Sequence, residues 1–286
     1  MVHAFCAEGT YYLFDSASGA LHICDALTAE VVKKMSGEPY DLHGVDESEI
    51  AEIEEEIETL KKEGALFAEE EKEIPLKSEE VKALCLHICH DCNLRCEYCF
   101  AGQGSYKGRS EYMPFKVAKA AVDFLIANSG KRRILEMDFF GGEPLMNLSV
   151  VKQTVDYAKA EGKKHGKKFL FTLTTNGVLL DEETAKYLNE EMENVVLSLD
   201  GRKEVHDAVR KTVNGKGSYD VIVENIKNFV KMRGDKHYYV RGTFTKKNLD
   251  FGNDVLFLAD NGLTEISLEP VVTDEGSPLY IAEEDV

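Results

Sequence analysis

The chain has 286 residues, 43% of them apolar, so it can bury a sizeable core and is expected to divide into two domains. Its 52 acidic and 34 basic side chains leave a formal charge of −18, which argues against a nucleic-acid-binding surface. There is no run of about 18 or more apolar residues to span a bilayer and no basic-then-apolar signal segment, so a cytoplasmic protein with no membrane partner is expected.

Residues 1–73 read as a small α+β domain. Residues 3–8 and 11–15 have the pattern of strands, and the turn Ser16-Ala17-Ser18-Gly19 leads into a third at 20–24. Asp25 can cap a helix that reaches Met35. Ile50, Ile53, Ile57 and Leu60 recur at spacings of three and four along 48–63, which predicts an acidic helix with one apolar stripe. Gly64 ends it, and Ala65-Leu66-Phe67 begins a last short strand. Cys6 and Cys24 fall on strands and read as buried thiols.

An acidic, lysine-containing linker over 74–82 precedes a change of pattern. Apolar strands are expected at 83–88, 135–140, 169–174, 195–199, 239–244 and 265–269. Helices are expected between and after them at 115–128, 149–165, 182–191, 219–232 and 251–261. The alternation over 83–286 predicts an α/β fold with a parallel sheet under outer helices, whose chemistry gathers at the C-terminal strand ends.

The first strand runs into Cys92-Asn93-Leu94-Arg95-Cys96-Glu97-Tyr98-Cys99-Phe100, a C-x3-C-x2-C triplet. Three thiolates in one loop can hold three irons of a [4Fe–4S] cube and leave the fourth open. A zinc knot drawn on Cys85, Cys89, His87 and His90 is the plain alternative. It would set all its ligands on one strand and its loop, whereas structural zinc clamps two pieces of chain. In chain alternation, Cys85, His87 and Cys89 share one side of the strand and Leu84, Leu86 and Ile88 the other. Cys89 could therefore compete for iron, a buried spectator thiol being the other reading.

Three further strand ends carry small polar motifs. Gly141-Gly142-Glu143-Pro144 lets backbone approach a ligand beside a carboxylate suited to an ammonium group, unless it is a glycine turn with a solvated glutamate. Thr174-Thr175-Asn176-Gly177 and Ser198-Leu199-Asp200-Gly201 follow, and each alone could be turn chemistry. Then come His206-Asp207-Ala208-Val209-Arg210 and Gly215-Lys216-Gly217-Ser218-Tyr219-Asp220.

The triplet, with an aromatic residue before its last cysteine, resembles the signature of the radical SAM superfamily. The resemblance implies a partial (β/α)6 barrel, a [4Fe–4S] cluster on Cys92, Cys96 and Cys99, and S-adenosylmethionine (SAM) chelated at the open iron. It implies that Gly141, Gly142 and Glu143 meet the methionyl amine, and that Thr175, Asn176, Ser198 and Asp200 approach the ribose and methionyl portions. Tyr98 is expected near the adenine and Val271, after Pro270, over the adenosine. Arg210 is the candidate for the SAM carboxylate, against a helix-surface salt bridge, and His206 is expected to support the loop. A flavodoxin or ferredoxin is the implied electron donor.

Longer stretches add a finer resemblance. Val81 to His87, Asp138 to Asn147, Tyr239 to Thr245 and the opening Val2-His3-Ala4-Phe5 are similar to the SCIFF peptide maturases, which form thioether links from cysteine sulfur to an acceptor α-carbon in a cysteine-rich ribosomal peptide. The first domain resembles the winged-helix peptide-recognition element of such enzymes, in which a leader peptide adds a strand to a sheet edge. A stabilising cap is the alternative. One departure is that no cysteine follows Cys99, whereas these maturases continue into a cysteine-rich SPASM domain with auxiliary clusters. A truncated maturase is therefore expected. Another SPASM-type maturase, such as one acting on sulfatases, and a non-catalytic SAM- and peptide-binding fragment are the alternatives.

Overall fold

A computed structural model describes residues 1–69 and 80–285, and the chain divides into two units, Met1–Ser78 and Glu79–Val286. In the first, β1 (Val2–Ala7), β2 (Thr10–Asp15) and β3 (Leu21–Cys24) form an antiparallel meander in that order. Val2, Ala4 and Leu13 point inward onto α1 (Ala26–Ser36), whose Ala29, Val31 and Val32 are buried. Asp25 caps α1 by accepting from Thr28 N at 2.7 Å, and Asp46 caps α2 (Glu47–Lys62) in the same manner through Ser48 N. The stripe on α2 lies as expected, with Ile57 buried and Ile50, Ile53 and Leu60 packed beside it.

The expected strand at Ala65-Leu66-Phe67 does not form. Ala65 N and Leu66 N both turn back to Leu60 O, and Phe67 takes a φ of 49°. The buried Asp15 accepts from Ala68 N while His22 Nε2 meets Ala65 O, so side chains satisfy backbone groups that a strand would have paired. Cys6 is exposed rather than buried, because it stands beside the Glu8-Gly9 turn where the sheet ends, and Cys24 is half-buried. The expected linker lies outside the described residues as far as residue 79.

The second unit runs β4 (Ala83–Cys89), β5 (Leu94–Cys96), α3 (Phe115–Asn128), β6 (Ile134–Gly141), α4 (Leu148–Lys164), β7 (Lys168–Thr175), α5 (Glu182–Glu191), β8 (Asn194–Ser198), α6 (Lys203–Val209), β9 (Arg210–Thr212), α7 (Tyr219–Arg233), β10 (Tyr238–Phe244), α8 (Gly252–Asp260) and β11 (Ile266–Pro270). Six strands make one parallel sheet in the order β4-β6-β7-β8-β10-β11, the arrangement of a partial barrel. Period-two burial explains its layers. Met137 and Phe139, Phe171 and Leu173, and Val195 and Leu197 face the helices, which return Val122, Val151, Val155, Leu188, Ile222, Ile226 and Leu258.

The limits of these expected strands and helices differ from the observed ones by at most one residue. The short ribbon β5–β9 and helix α6 were not expected, since three-residue strands carry no readable period. A bulge between His87 and Cys89 also corrects the alternation in β4: it turns Cys89 into the core with Ile88, while Cys85 and His87 stay exposed. Among the described residues, no helix is long and apolar enough to cross a membrane.

Candidate active site

The cysteine loop is held by backbone before any ligand is considered. Gly142 N donates to Cys89 O at 2.7 Å and Glu143 N to Asp91 O at 2.9 Å, docking the end of β6 against the loop. A Cβ on Gly142 would lie 2.0 Å from Asp91 O, so this glycine is demanded by the loop's own backbone. A Cβ on Gly104, at φ +101°, would lie 2.7 Å from Cys92 Cβ. Leu94 N at 3.4 Å and Asn176 Nδ2 at 3.6 Å donate to Cys92 Sγ, and Asn176 Nδ2 also reaches Asn93 Oδ1 at 2.7 Å. Burial pushes the Cys92 thiol up to about 12 and also raises Cys96, so both are poor thiolates unless a metal supplies positive charge.

Glu143 is fully buried and accepts from Asn176 N at 2.7 Å, Thr175 Oγ1 at 2.9 Å and Leu145 N at 3.0 Å. All three donors are neutral, and burial outweighs them, pushing the carboxyl up to about 7. The alternative of a solvated glutamate is therefore excluded. Asp200, equally buried, accepts from Arg210 Nε at 3.0 Å, Tyr98 Oη at 2.7 Å and Thr243 N at 3.0 Å. Arg210 is buried too and its guanidinium lies 5.3 Å from the Tyr98 ring centre, so the helix-surface alternative falls as well. Ser218 Oγ donates to Arg210 O at 2.7 Å, which fixes it as acceptor from His206 Nε2 at 2.9 Å. His206 Nδ1 then accepts from Asp200 N at 3.4 Å, and burial followed by the charge of Arg210 lowers this histidine to about 4.

These groups surround a cavity of about 500 Å³ at the C-terminal strand ends. Cys92, Cys96, Cys99, Tyr98, Gly141, Gly142, Glu143, Thr175, Asn176, Ser198, Arg210 and Val271 all line it. Asp200 does not: it stands behind the wall and holds Arg210 and Tyr98. Sequence reasoning passed over Phe100 and Phe140, and over Arg241 and Glu269, which pair loosely at 3.6 Å on the wall. Arg241 and Thr243 alternate with the buried Val240, and that period was the available signal. Among the described residues, no three His, Cys, Asp or Glu side chains converge on one ion-sized point, the zinc knot included. A cube asks instead for thiolates at separate corners.

Residues 86–248 match the model of the Radical SAM superfamily. The chain is 29% identical over 191 residues to an uncharacterized protein of Methanocaldococcus jannaschii, covering 66% of this chain and 62% of that one. It is 33% identical over 144 residues to a cysteine-type anaerobic sulfatase-maturating enzyme of Clostridium novyi, covering 48% and 37%, and 27% identical to the radical SAM cyclopropyl synthase TigE of Paramaledivibacter caminithermalis, covering 66% and 41%. It thus spans less than two thirds of the length of these relatives. The solved structure of native anSMEcpe with bound AdoMet and Cp18Cys peptide superimposes with a TM-score of 0.63 at 23% identity, over 72% of this chain and 56% of that one, a likeness of fold.

The chain belongs to the radical SAM superfamily. Membership implies a [4Fe–4S] cluster and SAM as cofactors. The residues present fit these groups: three cysteines share one wall of a cavity large enough for a ligand. Next to Cys92, Asn93 Nδ2 is buried with no hydrogen-bond partner among the described residues, a donor of the kind that cluster sulfurs accept.

Proposed function

We propose that Cys92, Cys96 and Cys99 hold the cluster, and that the chain modifies a cysteine-rich ribosomal precursor peptide by forming thioether links. The observation that carries the first half is a cavity lined by three cysteines and a buried Glu143 that has no cation beside it among the described residues. Gly141, Gly142 and Glu143 receive the methionyl amine of SAM, Arg210 receives its carboxylate, and Thr175, Asn176 and Ser198 line the methionyl and ribose path. Tyr98 and Val271 flank the adenosine. Asp200 holds Arg210 in place from behind. When bound, cluster and SAM together supply reductive SAM cleavage and a hydrogen-abstracting adenosyl radical. The cysteines would hold the cluster, and the groups at the strand ends would position SAM in the cavity beside it.

The peptide half is supported by the SCIFF-like stretches and by β3, an edge strand whose Leu21 and Ile23 are 58% and 74% exposed. A leader pairing there would extend a face on which His3, Phe14 and Leu21 form one row and Phe5, Tyr12 and Ile23 the next. Identity to the Clostridium novyi enzyme favours a second reading, a maturase acting on sulfatases.

Anaerobic reconstitution tests the proposal. Cys92→Ala, Cys96→Ala and Cys99→Ala are each expected to lose most bound iron and all 5′-deoxyadenosine production, and Cys85→Ala and Cys89→Ala neither. Equal loss in Cys89→Ala would overturn the three-ligand assignment. Mass mapping of treated peptide separates a cross-link, which removes two hydrogens, from a change confined to one residue. Calorimetry that finds no affinity of the full chain for the leader would remove the recognition role.

A further inference from the structure

Glu143, Arg210, Arg241 and Glu269 are the carboxylates and guanidinium groups that line the cavity among the described residues. The first two are assigned above to the amine and carboxylate of SAM, and the last two are left over. Arg241 stands opposite Ser198 of β8 and Ser267 of β11, and Glu269 opposite Thr243, so guanidinium and carboxylate are diagonal neighbours on the face that lines the cavity.

Packing does not explain this pair. Arg241 Nε and Glu269 Oε1 are 3.6 Å apart, beyond a hydrogen bond, their side chains are 44% and 57% exposed, and neither makes another side-chain hydrogen bond among the described residues. A pair so open contributes little to stability, and both ions keep their hydrogen-bonding capacity for a ligand. Much of the wall left over beside them is apolar: Phe100 and Phe140 stack at 6.4 Å on the β6 side, and Val272 is exposed. Aromatic faces attract a chain without fixing its direction. Orientation falls to the charged pair.

We infer that Arg241 and Glu269 clamp the main chain of the peptide at its acceptor residue, which rests on the peptide reading above. In an extended chain a residue's own N–H and C=O point to the same edge, which is why two paired residues of antiparallel strands exchange both bonds. A carboxylate and a guanidinium side by side offer that edge the complementary acceptor and donor. The α-hydrogen of such a residue points away from the clamped edge, so a clamp on β10 and β11 turns it from the pair toward the rest of the cavity, where Ser198 and the other groups assigned to SAM stand. Chemistry at an α-carbon calls for a hold of this kind, because the bond to be broken belongs to the main chain. The acceptor side chain is then only loosely specified.

The test uses the reconstituted full chain with SAM and a synthetic leaderless cysteine-rich peptide, comparing the parent with Arg241→Ala and Glu269→Ala. Calorimetric affinity for the peptide is expected to fall about tenfold in each variant, the worth of one hydrogen bond to a charged group. The parent should lose as much when the acceptor residue, located by mass mapping, carries an N-methyl group, whereas Glu269→Ala should lose nothing further, since the partner of that N–H is already gone. The number of 5′-deoxyadenosine molecules formed per peptide altered is expected to rise about tenfold in both variants, because a misplaced α-carbon leaves SAM cleavage uncoupled. Fully additive losses on the N-methyl peptide, or unchanged affinity and ratio in both variants, would overturn the inference. So would a loss of SAM affinity as large as the loss of peptide affinity, which would give the pair to the cofactor. A parent that binds the peptide and forms no thioether refutes the reaction proposed above, while the calorimetric comparison still decides the clamp. A parent that does not bind the peptide refutes both.

Discussion

Two buried carboxyls stand at strand ends two places apart in the sheet, Glu143 after β6 and Asp200 after β8, and their surroundings make them opposites. Asp200 is bound by the Arg210 guanidinium, so its charge is answered inside the protein. Among the described residues, Glu143 has three hydrogen-bond donors and no cation, and it alone of the two lines the cavity. Position at a strand end therefore does not assign a role. The charge of the partner does: Asp200 builds the wall, and Glu143 leaves a deficit that a cationic ligand can fill.

The sharpest break in the comparison comes from removing each charge in turn. Asp200→Asn strands a buried guanidinium and is expected to cost about 3–5 kcal/mol in denaturant unfolding. A loss under about 1 kcal/mol would mean that Arg210 finds another partner and that the wall does not depend on Asp200. Glu143→Gln should unfold much as the parent does, yet lower SAM affinity by about 10- to 100-fold, the worth of a hydrogen bond to a charged group. If Glu143→Gln binds SAM as the parent does, the deficit is not what the ligand fills.

Proton linkage sharpens the contrast. With its carboxyl at about 7 in the folded chain, Glu143 is mostly protonated at pH 6 and must lose that proton when a cation settles beside it. Calorimetry in buffers of different ionisation enthalpy should find the parent releasing about one proton more than Glu143→Gln at pH 6, and the excess vanishing above about pH 8. Equal release by both proteins would place the titrating group elsewhere.

Both acids were expected at the ligand, Glu143 at the methionyl amine and Asp200 toward the ribose and methionyl portions, and Gly-Gly-Glu-Pro and Ser-Leu-Asp-Gly each put an acid after an apolar run. The runs were legible because burial on alternate sides writes period two into β6, β7 and β8, and i, i+4 stripes into the helices. The cysteine loop was legible from spacing alone. The partner of Asp200 was not, because Arg210 follows a seven-residue helix and opens a three-residue strand, elements too short to carry a pattern. The bulge at Cys89 was not legible either, since it is set by pairing with β6 and leaves no trace in β4 itself, although a buried spectator thiol was one of the two readings for Cys89 and is what the structure shows. The Ala65-Leu66-Phe67 strand failed for a related reason: Asp15 and His22, distant in sequence, answer the backbone there.

The smallest expected effect lies behind Asp200, at His206. Its Nδ1 accepts from Asp200 N, so a proton there would break that bond and set a second cation near Arg210. With a folded value of about 4, His206 stays neutral while an unfolded chain takes up a proton below about pH 6.5. Stability from this group is thus present above that pH and falls by about 1.4 kcal/mol per unit, to about 3 kcal/mol lost near pH 4. Glu143 runs the other way: its raised value gives stability that is present below about pH 4.5 and lost as pH rises through about 7. The two slopes oppose each other across the middle of that range. His206→Asn is expected to cost about 1 kcal/mol at pH 7 through its weakened hydrogen bonds, and then to gain on the parent steadily as the pH falls toward 4.5. Denaturant melts at four or five pH values, read as the difference between variant and parent, cancel the contribution of every other carboxylate. Parallel profiles would mean that His206 is free to protonate in the folded chain, and that the wall behind Asp200 is more open than its burial implies.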